Sequence, residues 1–271
     1  MTTAATLDLG AVKRRQQATW ASGDYAEIAT LIVPVAERLA DAADLRAGVT
    51  VLDVACGSGN AALAAARLGC VVTGIDYVPA LLERGRERAA AERLAIELRR
   101  GDAEAIPFGA ASFDAAVSVF GSMFAPDHRR AAAELLRVTR PGGTIALASW
   151  TPDGFVGAIF ETVANHVPSP PGLASPMLWG DEEHLAELFG PEVEWSHRRR
   201  TFTFRFASAD AFVDCFATYY GPTVKALEAA GPDGVALRHD LRELARSWNR
   251  LERPNPIAVP AAYLESIGTR G

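Results

Sequence analysis

From Val49 to Trp150 the sequence alternates short apolar runs with helix-forming stretches, and this alternation constrains the fold more than any other feature. Val49–Val54 is too short for a helix, is rich in β-branched residues and stops at a glycine-containing loop, so it reads as a buried strand. An alanine-rich stretch from Asn60 to Leu68 follows and ends at Gly69, as a helix does. Cys70–Ile75 is a second strand, and Pro79 opens a helix running to about Leu94. Ile96–Arg100 and Phe113–Phe120 give strands three and four. A helix from Asp127 to about Thr139 and a Pro141-Gly142-Gly143 turn then lead to strand five, Thr144–Trp150. Strands that are almost continuously apolar belong to a parallel sheet covered on both faces. Right-handed crossovers make that sheet doubly wound.

After Trp150 the pattern loosens. Five prolines between residues 151 and 180 mark a loop-rich connection, with one short helix near Phe155–Asn165. Asp181 is placed to cap a helix through Phe189, Glu192–Phe206 alternates as a long strand, residues 209–252 read as helical, and Ala262–Thr269 reads as a last strand. The formal net charge of -6 disfavours a nucleic-acid partner, which needs clustered Lys and Arg. The one basic run, Arg198-Arg199-Arg200, is expected on a solvated sheet edge. No stretch approaches the roughly 20 apolar residues of a membrane span, and no apolar block precedes a cleavage site near the N-terminus. Three scattered cysteines suggest neither a disulfide framework nor a metal site, which makes the cytoplasm the expected location and Cys70 a small core residue.

The chemistry concentrates between the first two strands. Strand one runs into Asp53-Val54-Ala55-Cys56-Gly57-Ser58-Gly59-Asn60 and a helix begins at once. Glycines there let a ligand lie close to the backbone, and the helix presents free N–H groups. Asp76 ends strand two, 17 residues after Gly59, where a carboxylate can accept both hydrogen bonds of a ribose diol. Together these features argue for a nucleoside ligand at the carboxyl ends of the strands. Gly57-x-Gly59-x-x-Ala62 also satisfies the dinucleotide fingerprint. Asp53, four residues before Gly57, leans away from a pyrophosphate, which its charge would repel, and towards a cationic group; its other reading is a buried carboxylate holding loop amides.

The runs VLDVACGSGN, GIDYVPALLERGRERA, GDAEAIPFGAASFDAAVSVFG and ELLRVTRPGGTIALASW, in this order over about residues 45–150, resemble the class I S-adenosylmethionine-dependent methyltransferases. The likeness is to the group of ubiquinone- and menaquinone-biosynthesis and natural-product enzymes. It implies an α/β, Rossmann-like seven-stranded sheet of order 3-2-1-4-5-7-6, with helices on both faces and a helical cap inserted before the last strand. It also implies a small-molecule acceptor, S-adenosylhomocysteine as product and no metal. Carried onto this chain, Gly57 and Gly59 pass under the methionine moiety and Asp53 supports their loop. Asp76 holds the ribose, Tyr77 and Leu81 flank the adenine, and Asp102 and the Ala103 amide meet its edge. Ser118 offers a carbonyl to the amino group. Tyr25, ahead of Trp20, is the aromatic expected to face the sulfonium.

The domains expected are an N-terminal helical lid (1–40), a cofactor-binding core (41–206), a helical cap (207–256) and the last strand (257–271). Phe212, Phe216, Tyr219 and Tyr220 form an aromatic stripe at helical spacing. With Phe155, Phe160 and Trp179 they are candidates for an apolar lid over an aromatic or isoprenoid-like acceptor, or else for core packing. His166 is a candidate for substrate contact, and His128 is expected to be exposed at a helix start. No catalytic residue is assigned, since methyl transfer requires chiefly that the nucleophile be held in line with the methyl group. A homodimer is compatible with the sequence. Rival readings are a module that binds S-adenosylmethionine without catalysis and a nicotinamide-dependent oxidoreductase.

Overall fold

The computed structural model describes residues 7–271, and its central element is a seven-stranded sheet of order β3-β2-β1-β4-β5-β7-β6. β1 (Thr50–Val54), β2 (Val71–Asp76), β3 (Ile96–Arg100), β4 (Phe113–Val119) and β5 (Thr139–Trp150) are parallel. β6 (Val193–Phe206) and β7 (Ile257–Arg270) form an antiparallel hairpin-like pair whose inner member, β7, docks on β5. The central strands carry Val51, Leu52, Ala116 and Ile145, all fully buried, as a sheet covered on both faces requires. α4 (Asn60–Arg67), α5 (Pro79–Glu92), α6 (His128–Val138) and α8 (Glu182–Phe189) connect or flank the strands. Chain order reverses between β1 and β4, which opens a crevice at their carboxyl ends.

Two N-terminal helices, α1 (Leu9–Trp20) and α2 (Tyr25–Leu31), cover that crevice, and a third, α3 (Val33–Ala42), packs against α4 and the sheet. The apolar positions Ile28, Leu31, Ile32 and Val35 are divided between two helices at Ile32, because Pro34 cannot continue the hydrogen bonds of α2 and instead sits in the first turn of α3. α7 (Phe155–His166) follows β5. The segment between β6 and β7 folds into α9 (Ala209–Tyr219), α10 (Gly221–Ala230) and α11 (Gly234–Ser247). Gly221-Pro222 and Gly231-Pro232 punctuate what the composition alone had left as one helical stretch. β5 begins at Thr139 rather than Thr144: Gly142, at φ +74°, lets the chain keep strand pairing across an irregularity after Phe113. β7 likewise begins at Ile257 rather than Ala262, paired along its length with β6.

The basic run lies on β6, the edge strand, with Arg199 paired to Asp153 and Arg200 to the buried Glu265. Cys70 is buried, its thiol donating to the Arg46 carbonyl. Asp127 and Asp181 cap α6 and α8 as their positions suggest. Among the described residues, no helix is long and apolar enough to cross a membrane.

His128 departs from expectation: it is buried rather than exposed, because α8 and the turn holding Trp179 roof the start of α6. Its Nδ1 lies 3.1 Å from His184 Nε2. Burial, and then the neighbouring His184, depress its pKa from 6.5 to about 4. Between those values the unfolded chain takes up a proton that the folded one refuses, so this residue's contribution is lost as pH falls from 6.5 towards 4. The stability advantage of the wild type over His128→Asn is therefore expected to shrink by on the order of 2–3 kcal/mol across that window. Denaturant unfolding of both proteins at pH 7 and pH 4.5 measures it, and a constant difference would contradict it.

Candidate active site

The site grows out of the sharp turn after β1. Ala55, Gly57 and Gly59 have φ of +53°, +54° and +82°, a left-handed path that glycine takes without strain. Cys56 N–H donates to the Ile75 carbonyl. The Asp76 carboxylate accepts from Gly57 N–H at 2.9 Å through Oδ2 and from Val78 N–H at 2.8 Å through Oδ1. The loop is thereby clipped to the end of β2, with each Asp76 oxygen retaining a lone pair for a ligand. Burial raises the Asp76 pKa to about 6 against the pull of the amides, which leaves it mostly ionised at neutral pH.

Asp53 lies where a loop-supporting carboxylate is expected. It lies 1% exposed beneath the loop, and Oδ2 accepts from Ala62 N–H at 2.8 Å, capping the opening of α4. Burial lifts its pKa to about 8, so it carries little of the negative charge that would complement an ammonium. It belongs to the loop-holding alternative.

Above the loop is a cavity that opens to solvent. Of the ten cofactor candidates, Tyr25, Gly57, Asp76, Tyr77, Leu81, Asp102 and Ala103 line it. Asp53 and Gly59 lie behind it, and so does Ser118, whose hydroxyl donates to the Val54 carbonyl and accepts from Ser122 N–H, tying β4 to β1. The strand-four end presents Phe120, at φ +53°, and Gly121 to the cavity instead. A Cβ on Gly121 would fall within van der Waals overlap of the Ala55 carbonyl oxygen, so only glycine lets the two strand ends meet this closely.

The two ends of the cavity differ chemically. One carries the carboxylates of Asp102 and Glu104; the other is aromatic, with Trp20, Tyr25, Phe120 and Phe124, and Asp76 lies close to Tyr25. Trp20 lies edge-on to Tyr25 at 5.3 Å and to Phe124 at 4.9 Å between ring centroids. This division fits a nucleoside at the acidic end and a sulfonium at the aromatic one. The glycine loop fits as well: a Cβ on Gly57 would project to 3.6 Å from the Tyr25 ring and fill the gap between loop and ring.

Several lining residues carried no signal strong enough to select them. Lys13 bridges Asp102 and Glu104, and Gln17 donates to the Tyr77 carbonyl, so α1 is fastened across the acidic end. Their i,i+4 spacing on one helix face was the available clue; the run holding them reads merely as polar. Phe120, Phe124 and Ile32 are apolar positions that only tertiary structure distinguishes from core.

The acceptor candidates separate. Phe216 and Tyr220 line a second, narrow cavity, which shares Tyr25, Ile32, Phe120 and Phe124 with the first. Phe155 does not reach it. That ring is fully buried among Phe204, Phe212 and Trp248, because α7 packs into the layer between the sheet and α11. Tyr219 is 37% exposed, one position off the inward stripe of α9. His166 ends α7 with Nε2 2.7 Å from Asp240 of α11 and lines neither cavity. Trp179 is core beneath α6, and Phe160 lines a separate groove beside α1.

The chain is similar in sequence and fold to known proteins. Residues 52–147 match the family model described as a methyltransferase domain. The chain is 42% identical over 236 residues to "Uncharacterized protein Rv1403c" of Mycobacterium tuberculosis, covering 84% of this chain and 86% of that one. It is 37% identical over 121 residues to the demethylmenaquinone methyltransferase of Deinococcus radiodurans, 43% of this chain and 50% of the other. The crystal structure of YcgJ from Bacillus subtilis has the same fold, with a TM-score of 0.60 at 18% identity over 87% of this chain and 97% of that one. With its seven-stranded order and its glycine loop clipped by Asp76, the protein belongs to the class I S-adenosylmethionine-dependent methyltransferases.

Proposed function

We propose that the enzyme methylates a small, largely apolar or aromatic metabolite held in the second cavity, by in-line transfer. The observation that carries this reading is the common wall: Tyr25, Ile32, Phe120 and Phe124 face both cavities, so a donor in one and an acceptor in the other are immediate neighbours. When bound, S-adenosylmethionine supplies an electrophilic methyl group on a positively charged sulfur. The chain supplies position. Asp76 receives the ribose hydroxyls, Tyr77 and Leu81 flank the adenine, and Asp102 and the Ala103 amide take its edge. Gly57 gives the methionine moiety room, Gly59 shapes the turn behind it, and Tyr25 faces the sulfonium. Phe216 and Trp150 hold the acceptor against that wall and exclude water, leaving the nucleophile roughly 3 Å from the methyl carbon.

Screening apolar and aromatic acceptors for S-adenosylhomocysteine formation, followed by Phe216→Ala, tests the reading. The substitution is expected to raise the acceptor KM about tenfold or more while the affinity for S-adenosylmethionine stays within about twofold. Parallel loss of both would place Phe216 in the core alone, and acceptance of only highly polar compounds would contradict the acceptor class.

A further inference from the structure

The acceptor cavity has an unusual chemical composition. α2, β5, α7, β6 and α9 and the ends of β4 all contribute apolar or aromatic side chains to it, among them Ile28, Trp150, Ile159 and Phe204. Among the described residues, its polar side-chain groups are two phenols, Tyr25 and Tyr220, with ring centroids 6.3 Å apart, and the indole N–H of Trp150, which is a donor only. Burial pushes the pKa of both upwards, reinforced by Asp76 at Tyr25 and by Tyr25 at Tyr220. Both therefore remain protonated, each with a hydroxyl able to donate a hydrogen bond. The charged groups lie elsewhere: Asp76, Asp102, Glu104 and Lys13 line the cofactor cavity, His166 faces Asp240, and His128 pairs with His184. No carboxylate or imidazole among the described residues lines the acceptor cavity to take a proton from a nucleophile.

Resting on the acceptor reading above, we propose that the acceptor is bound as a delocalised organic anion, ionised by its own acidity: an arenethiolate or an enolate of similar pKa. A lone anion in an apolar cavity is costly, but one beside a sulfonium is paired at short range in a medium that strengthens the pairing. Tyr25 and Tyr220 add hydrogen bonds that hold its orientation. The acceptor's proton goes to solvent before entry. Its electron pair forms the bond to the methyl carbon as the carbon–sulfur bond breaks and that pair returns to sulfur, so two opposite charges become two neutral products. A charge-destroying displacement is favoured where water is excluded, because the transition state carries less separated charge than the reactants. A simple phenol, with a pKa of about 10, is ionised to only about one part in a thousand at pH 7 and finds no base here.

The test is optical binding of 4-nitrothiophenol and of an enolised cyclic 1,3-diketone. Each is titrated into the protein loaded with sinefungin, which carries an ammonium near the sulfonium position, or with the neutral S-adenosylhomocysteine. At least one probe is expected to bind as its anion, tenfold or more tighter beside the ammonium, and which one binds distinguishes sulfur from carbon-acid acceptors. For turned-over acceptors, kcat/KM is expected to rise with pH at a midpoint that follows the acceptor's own pKa. In Tyr220→Phe the rate falls while that midpoint stays in place. Equal affinity in the two complexes, binding of the neutral forms, failure of both anions to bind, or a midpoint indifferent to the acceptor would overturn the proposal. Calorimetry with S-adenosylmethionine on the same sample separates these outcomes from failure of the methyltransferase reading, which would appear as no cofactor binding.

Discussion

Replacing Asp76 with alanine is expected to weaken S-adenosylmethionine binding by about 1–3 kcal/mol, a factor of roughly 5–150, or more. The side chain does two jobs at once. It accepts from the Gly57 and Val78 amides, which fixes the turn after β1, and it faces the cavity with lone pairs remaining. Alanine leaves both amides without their acceptor and removes the group placed to meet the ribose. Asp76→Asn keeps one carbonyl oxygen and should fall between wild type and alanine. Because burial raises this carboxyl's pKa to about 6, wild-type affinity should be level above pH 7 and decline as pH falls through 6, where the charged form is lost. Calorimetric titration of the three proteins measures the series, and an unchanged affinity in Asp76→Ala would remove the residue from the site.

Phe155→Ala is expected to cost about 3–5 kcal/mol of stability, the usual penalty for deleting a large buried aromatic ring. Its ring centroid lies 5.5 Å from Phe212 and 5.8 Å from Trp248, so truncation opens a void where α7, α9 and α11 meet. Neither cavity includes it, and cofactor affinity of the folded variant should stay within about twofold. Denaturant unfolding decides between this and the acceptor role suggested by its place after strand five. A stability loss below about 1 kcal/mol together with a raised acceptor KM would return Phe155 to the substrate wall.

These two residues mark where the sequence is readable. The place of Asp76 beside the crevice was legible because its type, its position at a strand end and its spacing from Gly59 all point there; the strand–helix alternation gave the parallel strands, and the sheet order came from the family resemblance. Phe155 was not, because an aromatic residue at helical spacing looks the same whether it meets core or ligand. Phe216 and Tyr220 reach the second cavity, whereas Tyr219, on the same helix, faces outward; one residue along a helix is a rotation of about 100°. Asp53 shows a further limit. Its position was read correctly as under the loop, but its charge depends on burial, which pushes its pKa to about 8. Lys13 and Gln17 depend on α1 folding back across the crevice, a long-range docking that no local pattern encodes.

The central claim is that the crevice above Gly57 and Asp76 holds S-adenosylmethionine. Thermal unfolding in parallel with S-adenosylmethionine, S-adenosylhomocysteine and NAD tests it most directly, since a ligand bound only by the folded state raises the midpoint. The expected result is a rise with both adenosyl ligands, none with NAD, and loss of the rise in Asp76→Ala. A rise with NAD alone would contradict the account, because the glycine loop would then be holding a pyrophosphate.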